Sequence, residues 1–188
     1  MKYFNLENNE DFERLYSLYY PKLVRFSKEY ILSRSDAENI VQDIFLTIWE
    51  QRKKLTDLEN VNAFLFRLTK NRCIDFLRRK VLMEEKQRQI QDVLLKEYQL
   101  KLYSIEQFDE NNFTEEDIET ILQNAIRSLP DKCREIFILS RLEGLKHHEI
   151  AEKLNISPST VNNQISLALK KLKEILKNHL PLFVFLTV

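Results

Sequence analysis

Residues 146–169 read KHHEIAEKLNISPSTVNNQISLAL, and this stretch is the most informative part of the second half of the chain. Ile150 begins an apolar helix side, and the small Ala151 suits a place where two helices cross closely. Asn155 tolerates the positive φ that a tight turn needs. Ile156 would then fill the space between the two helices. The pattern therefore predicts a short helix, a tight turn and the start of a second helix.

The second helix has its own start signal. Ser157 is a good N-cap, and Pro158 fits the first helical position, where its missing N–H costs nothing. The apolar side of this helix is formed by Val161, Ile165, Ala168, Leu169 and Leu172. Turn, cap and apolar side in this register predict a helix-turn-helix, a motif that places its second helix in the major groove of DNA. A plain helical hairpin with a polar surface is the alternative.

The outward side of this second helix is polar. Asn and Gln can pair bidentately with adenine, and Ser or Thr can bond to bases or phosphates. Lysines follow toward the helix end, and they suit contact with the DNA backbone. We therefore predict a set of DNA-binding residues here, namely Ser157, Ser159, Thr160, Asn162, Asn163, Gln164, Ser166 and Lys170.

Glycine is scarce along the whole chain, which has 188 residues with one Gly and four Pro. Sheet proteins need many tight turns, and tight turns need glycine. This scarcity, with abundant Leu, Ile, Lys and Glu, predicts an all-α fold. The length allows one large domain or two small ones.

Charges are unevenly distributed, although the formal net charge is zero. Residues 61–80 hold six Lys or Arg against one acid, and residues 141–177 hold seven against four. Between these segments, residues 81–120 hold four against eleven. A protein that is neutral overall can still bind DNA if its basic faces are segregated.

Three helices are predicted in the front half. The first covers residues 11–32, and Ser35 is expected to cap the second. The apolar side of the second helix is formed by Ala37, Ile40, Val41, Ile44, Phe45 and Ile48. The third covers residues 60–80 and has a basic solvent side. Its apolar side is formed by Phe64, Leu65, Leu68, Ile74 and Leu77.

The periodicity weakens after Lys80, with room for one helical segment at Val93–Leu102. We predict two small helical domains, residues 1–80 and 114–188, joined by a flexible acidic linker over residues 81–113. The apolar tail Leu180–Val188 is not explained by DNA binding. Packing on the second domain, contact with a partner and disorder all remain open for it.

Catalytic, metal and cofactor sites are not indicated. Cys73 and Cys133 lack a C-x-x-C partner, and the adjacent His147 and His148 would point in different directions on a helix. We find no Gly-rich phosphate loop and no nucleophile–base pair, so we expect neither an enzyme nor a small-molecule substrate. The polar, acidic N-terminus is unlike a signal peptide, and the longest apolar run is short of the roughly twenty residues of a membrane span. We therefore expect a cytoplasmic protein.

Separate segments resemble one family. DAENIVQDIFLTIWEQ (Asp36–Gln51) resembles the polymerase-binding helix of RNA polymerase sigma factors. NVNAFLFRLTKNRCIDFLRRK (Asn60–Lys80) resembles their promoter-opening helix. Ser128–Leu176 resembles the C-terminal domain of the extracytoplasmic-function group. The order of these segments, without the extra domains of housekeeping sigma factors, favours this small group.

The resemblance implies a role for each segment. The first would dock on the clamp helices of the largest polymerase subunit, through Asn39, Gln42, Asp43, Leu46 and Thr47. The second would hold the downstream promoter element, with one or more bases flipped out of the stack. Its candidates are Asn62, Phe64, Arg67, Lys70, Asn71, Arg78 and Arg79, with a core position as the alternative for Phe64.

The helix from Ser157 would read the upstream element near minus thirty-five. Its amides at Asn162 and Asn163 stand where many relatives have Arg or Lys, which favours an A-rich element. The linker acids would mimic nucleic acid in the RNA-exit path of the polymerase. The implied partners are core RNA polymerase, promoter DNA and an anti-sigma factor, which is often membrane-bound.

Two other functions are alternatives. A helix-turn-helix regulator that does not join the polymerase would explain residues 114–177 but not Asp36–Lys80. A helical adaptor that binds only protein would leave the two basic segments unexplained. Capture of core polymerase by the chain would distinguish a sigma factor from the first alternative. A salt-dependent affinity for DNA would exclude the second.

Overall fold

The computed structural model describes residues 5–53, 55, 60–86, 92–106 and 114–187. Across these ranges the regular secondary structure is helical throughout, which confirms the all-α prediction. The chain divides into two compact units between Glu116 and Asp117. The helices are α1 (Asn9–Tyr30), α2 (Arg34–Gln51), α3 (Val61–Lys86), α4 (Asp92–Glu106), α5 (Glu115–Arg127), α6 (Asp131–Arg141), α7 (His147–Leu154), α8 (Pro158–Ile175) and α9 (Leu180–Thr187).

Helix α2 begins two residues earlier than the sequence suggests. The cap is Ser33 rather than Ser35, because the Ser33 hydroxyl accepts a hydrogen bond from the backbone N–H of Asp36 at 3.2 Å. The predicted apolar side is confirmed in full, since each of its residues is buried: Ala37, Ile40, Val41, Ile44, Phe45 and Ile48. With one side committed to the core, the opposite side of α2 faces solvent.

Helices α1 and α3 pack together along matched side chains. The rings of Phe26 and Phe66 meet edge to face, with centroids 5.9 Å apart. The Cys73 thiol donates to the Ser27 hydroxyl at 3.6 Å. Both contacts fix the rotation of α3 about its axis, and this rotation decides which of its polar residues reach the surface.

Helix α3 continues to Lys86, beyond the predicted end at residue 80, and α4 packs against α3 and α1. Tyr98 and Ile105 of α4 are buried, and the Lys101 ammonium donates to the backbone oxygen of Glu29 at 2.6 Å. These helical residues belong to the first unit, which corrects the assignment of the whole range 81–113 to a linker. Residues 87–91 and 107–113 lie outside the described residues.

The second unit is built around α8, which packs against α6, α7 and α9. Its central cluster of buried residues consists of Ile136, Leu139, Ile150, Ala151, Val161 and Ile165. The apolar C-terminal segment forms α9, in which Leu182, Phe185 and Leu186 are buried. Of the interpretations left open for this tail, the structure selects packing on the second unit. None of the described helices is long and apolar enough to span a membrane.

Candidate nucleic-acid interface

The turn between α7 and α8 has the geometry of a helix-turn-helix. Asn155 adopts the left-handed conformation, with φ 50° and ψ 50°, which confirms its predicted role in the turn. The backbone N–H of Ile156 then donates to the oxygen of Ala151 at 3.0 Å, and the Ile156 side chain packs against the central cluster. Because Ala151 is small and buried, α7 and α8 can approach closely.

The start of α8 is capped as predicted. The Ser157 hydroxyl accepts from the backbone N–H of Thr160 at 3.1 Å, and Pro158 occupies the first helical position. The same hydroxyl lies 2.8 Å from the hydroxyls of both Ser159 and Thr160. The capping hydroxyl of Ser157 therefore also fixes the side chains of Ser159 and Thr160.

The outward side of α8 carries most of the predicted residues at its surface. Gln164 differs, because it is half-buried and its backbone oxygen accepts from the Cys133 thiol at 3.3 Å. Helical spacing aligns Ser159, Asn163, Ser166 and Lys170 along the middle of the exposed side, as a surface that could lie in a DNA groove. The exposed members of the predicted set are Ser157, Ser159, Thr160, Asn162, Asn163, Ser166 and Lys170.

The structure divides the residues predicted on α3 between two sides of the helix. Asn71, Arg78 and Arg79 are exposed, and Phe64 and Arg67 are half-buried. Arg72, which was not among the predicted residues, is also exposed and forms a basic stripe with Arg78 and Arg79. Its seven-residue spacing from Arg79 was the signal that could have identified it.

Asn62 and Lys70 are corrections to the predicted DNA-binding set. Asn62 is half-buried, and its side-chain oxygen accepts a hydrogen bond from the buried Tyr19 of α1 at 3.1 Å. Lys70 is only 4% exposed. Both residues lie on the side of α3 that faces the core, because the helix rotation that exposes Asn71 turns them inward. They are therefore not part of the exposed basic surface.

Arg78 is held by α4. Its Nε and Nη2 atoms lie 2.9 Å and 2.7 Å from the Oε1 atom of Glu106, at the end of α4. The Arg79 guanidinium instead donates to the backbone oxygen of Asp75 on its own helix, at 3.2 Å. In these contacts, Arg78 therefore pairs with a carboxylate of a different helix, whereas Arg79 bonds to a backbone oxygen of its own helix.

The exposed side of α2 presents a third surface, which is chemically different from those of α8 and α3. Asn39, Gln42, Asp43 and Leu46 are exposed, and Leu46 keeps 55% of its surface accessible. Thr47 is half-buried, and its hydroxyl donates to the backbone oxygen of Asp43 at 2.8 Å. An exposed leucine surrounded by uncharged amides and a carboxylate suits a protein partner better than a nucleic acid.

The buried cysteines show no reactive environment. Burial raises the pKa of the Cys73 thiol to about 12, an effect that the Ser27 hydrogen bond opposes. Burial also raises the pKa of Cys133. In the part of the chain that the structure describes, no group of three or more His, Cys, Asp and Glu side chains could hold a metal ion.

Comparison with known proteins agrees with the positions of these three surfaces. The family model "Sigma-70 region 2" matches residues 15–81, and "Sigma-70, region 4" matches residues 119–172. The first match spans α2 and the exposed basic side of α3, and the second spans the helix-turn-helix. Each of the three candidate surfaces, on α2, α3 and α8, therefore falls mainly within a sigma-70 region.

Curated relatives match over most of their length. The chain is 28% identical to RNA polymerase sigma factor SigZ of Bacillus subtilis, over 88% of this chain and 86% of that protein. It is 29% identical to the ferric citrate uptake sigma factor FecI of Escherichia coli, over 85% and 87%. It is 26% identical to the ECF RNA polymerase sigma factor RpoE of Cereibacter sphaeroides, over 87% and 84%.

The fold and its exposed surfaces define an all-α helix-turn-helix protein with two helical units. The two region matches and the relatives identify the family within that class. The chain belongs to the sigma-70 family and is an RNA polymerase sigma factor of the extracytoplasmic-function type.

Proposed function

We propose that this chain directs core RNA polymerase to specific promoters through three surfaces, each with one role. The exposed side of α2 docks on the polymerase, the exposed side of α3 holds the downstream promoter element, and α8 reads the upstream element. The single observation that carries this proposal is the outward side of α8. Its polar residues are exposed beyond a fully formed helix-turn-helix, where neither packing nor capping needs most of them.

Recognition by α8 would rest on neutral hydrogen-bonding groups. Asn162 and Asn163 are exposed amides, and each can pair with the N6 and N7 positions of adenine. Gln164 contributes less, because it is half-buried. We therefore propose an A-rich upstream element, with Lys170 and the exposed Lys171 and Lys173 contacting the backbone.

On α3, the proposed downstream contacts are those that the structure leaves at the surface. Asn71, Arg72, Arg78 and Arg79 supply amide and guanidinium donors, and the half-buried Phe64 supplies an aromatic face. Arginine and aromatic groups together hold single-stranded bases by stacking and charge. This combination supports a role in keeping promoter DNA open.

The experiment is run-off transcription with the full chain and purified core polymerase on genomic fragments, followed by mapping of start sites. Wild type should start at defined sites that share an upstream element. Asn163→Ala should reduce transcription from those promoters by about tenfold, since one good bidentate pair contributes about 1–3 kcal/mol. Asn178→Ala is the matched control, because Asn178 is also exposed but lies beyond the end of α8.

Two results would overturn parts of the proposal separately. If core polymerase with this chain starts no more specifically than core polymerase alone, the sigma function is wrong. If a double change of Asn162 and Asn163 to alanine leaves promoter preference unchanged, the assignment of the α8 surface and the A-rich element is wrong. Capture of core polymerase by the chain excludes a regulator that binds DNA alone.

In this function the polymerase performs the chemistry, and this chain contributes binding energy and specificity rather than catalysis. We further propose a cytoplasmic location and inhibition by an anti-sigma factor. These follow from the family rather than from a contact in the structure. Co-purification of a single protein that blocks run-off transcription would support the inhibitor, and its absence from cells under all growth conditions tested would count against it.

A further inference from the structure

The ion pair between Arg78 and Glu106 joins the proposed DNA surface of α3 to α4. Arg78 lies on the same exposed side of α3 as Asn71, and two of its nitrogen atoms face one carboxylate oxygen of Glu106, at 2.9 Å and 2.7 Å. A phosphate oxygen binds a guanidinium with the same donor geometry as a carboxylate oxygen. Glu106 therefore occupies a position that a DNA phosphate could take.

Glu106 is delivered to this position by a packed helix. Its neighbour Ile105 is fully buried, and Tyr98 is buried about two turns earlier on α4. The Lys101 ammonium fixes the middle of α4 to the backbone oxygen of Glu29. The carboxylate is thus held beside Arg78 by the fold of the first unit.

The pair is nevertheless open to exchange. The Arg78 side chain is 56% exposed and the Glu106 side chain is 33% exposed, so water and ions reach both partners. Ion pairs in such positions are weak, because solvent screens the attraction and two long side chains must be ordered. A phosphate held by other contacts on α3 can therefore displace the carboxylate.

We propose that Glu106 competes with DNA phosphate for Arg78 and so weakens the binding of DNA to α3. This inference rests on the proposed role of α3 in holding promoter DNA. Any DNA phosphate that binds Arg78 must first break the ion pair with Glu106, so its net gain is smaller by the free energy of that pair. Glu106 thereby lowers the affinity of the chain for DNA that contacts Arg78.

The test measures binding of the full chain to a fluorescent single-stranded oligonucleotide of mixed sequence, by anisotropy at several salt concentrations. Glu106→Gln keeps the shape of the side chain and removes its charge. It should tighten binding by about two- to fivefold, the range expected for a half-exposed ion pair. It should also steepen the dependence of log K on log salt by about 0.7, the value for one further phosphate contact on a single strand.

Two controls separate competition from a general effect of charge. Glu97→Gln removes the same charge from an exposed position of the same helix, and it should change affinity and salt slope much less. In an Arg78→Ala background, Glu106→Gln should have no effect on either quantity. Thermal unfolding of each variant checks that the first unit stays folded.

Each other outcome contradicts the proposal. Equal effects of Glu106→Gln and Glu97→Gln would mean that only net charge matters. Weaker binding by Glu106→Gln would mean that Glu106 orients Arg78 for DNA instead of competing with it. If Arg78→Ala weakens binding but Glu106→Gln does not alter it, this inference fails while the proposed role of α3 stands. If wild type binds with no dependence on salt, the proposed role of α3 fails and this inference with it.

Discussion

The hydroxyl of Tyr19 on α1 donates a hydrogen bond to the side-chain oxygen of Asn62 on α3, at 3.1 Å across 43 residues of sequence. This bond anchors the first turn of α3 against α1. It also turns Asn62 away from the side of α3 that carries Asn71, Arg78 and Arg79. Asn62 is therefore a structural residue of the first unit in this arrangement.

Removing this hydrogen bond should affect stability and not promoter preference. Tyr19→Phe and Asn62→Ala should each lower the free energy of unfolding by about 1 kcal/mol, the typical contribution of one such bond. Urea unfolding measures the first quantity, and transcription from promoters with changed downstream bases measures the second. Asn71→Ala, at an exposed position, should show the opposite pattern. A changed base preference in Asn62→Ala with unchanged stability would place Asn62 back on the DNA surface.

Leu46 is expected to dominate the contact of α2 with polymerase, because it is the exposed apolar residue at the centre of that surface. Leu46→Ala should weaken binding to core polymerase by about tenfold, as truncation of a central interface residue commonly does. Leu100→Ala, which shortens an exposed leucine on α4, is the control. Affinity is measured by titration of labelled chain with core enzyme. Equal affinities of the two variants would contradict this assignment.

Helix α9 is expected to be an integral part of the second unit. Phe185 is fully buried, so Phe185→Ala should lower the stability of this unit by about 3 to 5 kcal/mol. Leu180→Ala, on the same helix but half exposed, should cost much less. Calorimetry of the full chain measures both. A wild-type unfolding curve for Phe185→Ala would show that α9 contributes little to the fold.

Because its thiol is buried, Cys73 should make the folded chain lose stability at alkaline pH. Burial raises its pKa in the folded chain to about 12 from an ordinary 9.0, so the unfolded chain loses this proton first. The contribution of the protonated thiol to the free energy of unfolding is fully present below pH 9.0. It is lost as the pH rises toward 12, because the folded state then binds more protons than the unfolded state.

Urea midpoints between about pH 8 and pH 10.5 test this expectation. Wild type should lose stability more steeply than Cys73→Ala, which lacks the titrating group. Tyr30, whose pKa burial also raises, contributes in the same direction in both proteins. Parallel curves for the two proteins would show that the Cys73 proton plays no part.

The helix-turn-helix could be predicted almost completely because its signals are local. The left-handed Asn155, the Ser157 cap and the buried Val161 lie within a few residues of one another, and each has a preference set by its own backbone or its helical spacing. The buried side of α2 was predictable for the same reason. The predicted cap of α2, Ser35, was wrong, because the hydroxyl that accepts from the backbone N–H of Asp36 is that of Ser33, two residues earlier.

Local patterns were enough to predict the helical class, the apolar side of α2 and most of the outward residues of α8, because periodicity and capping act over one or two turns. Three features follow from packing between helices and not from local patterns: Asn62 and Lys70 face the core, α4 packs on α3, and Glu106 reaches Arg78. These outcomes depend on how one helix is rotated against another. That rotation is set by contacts between residues far apart in the chain, which no local pattern encodes.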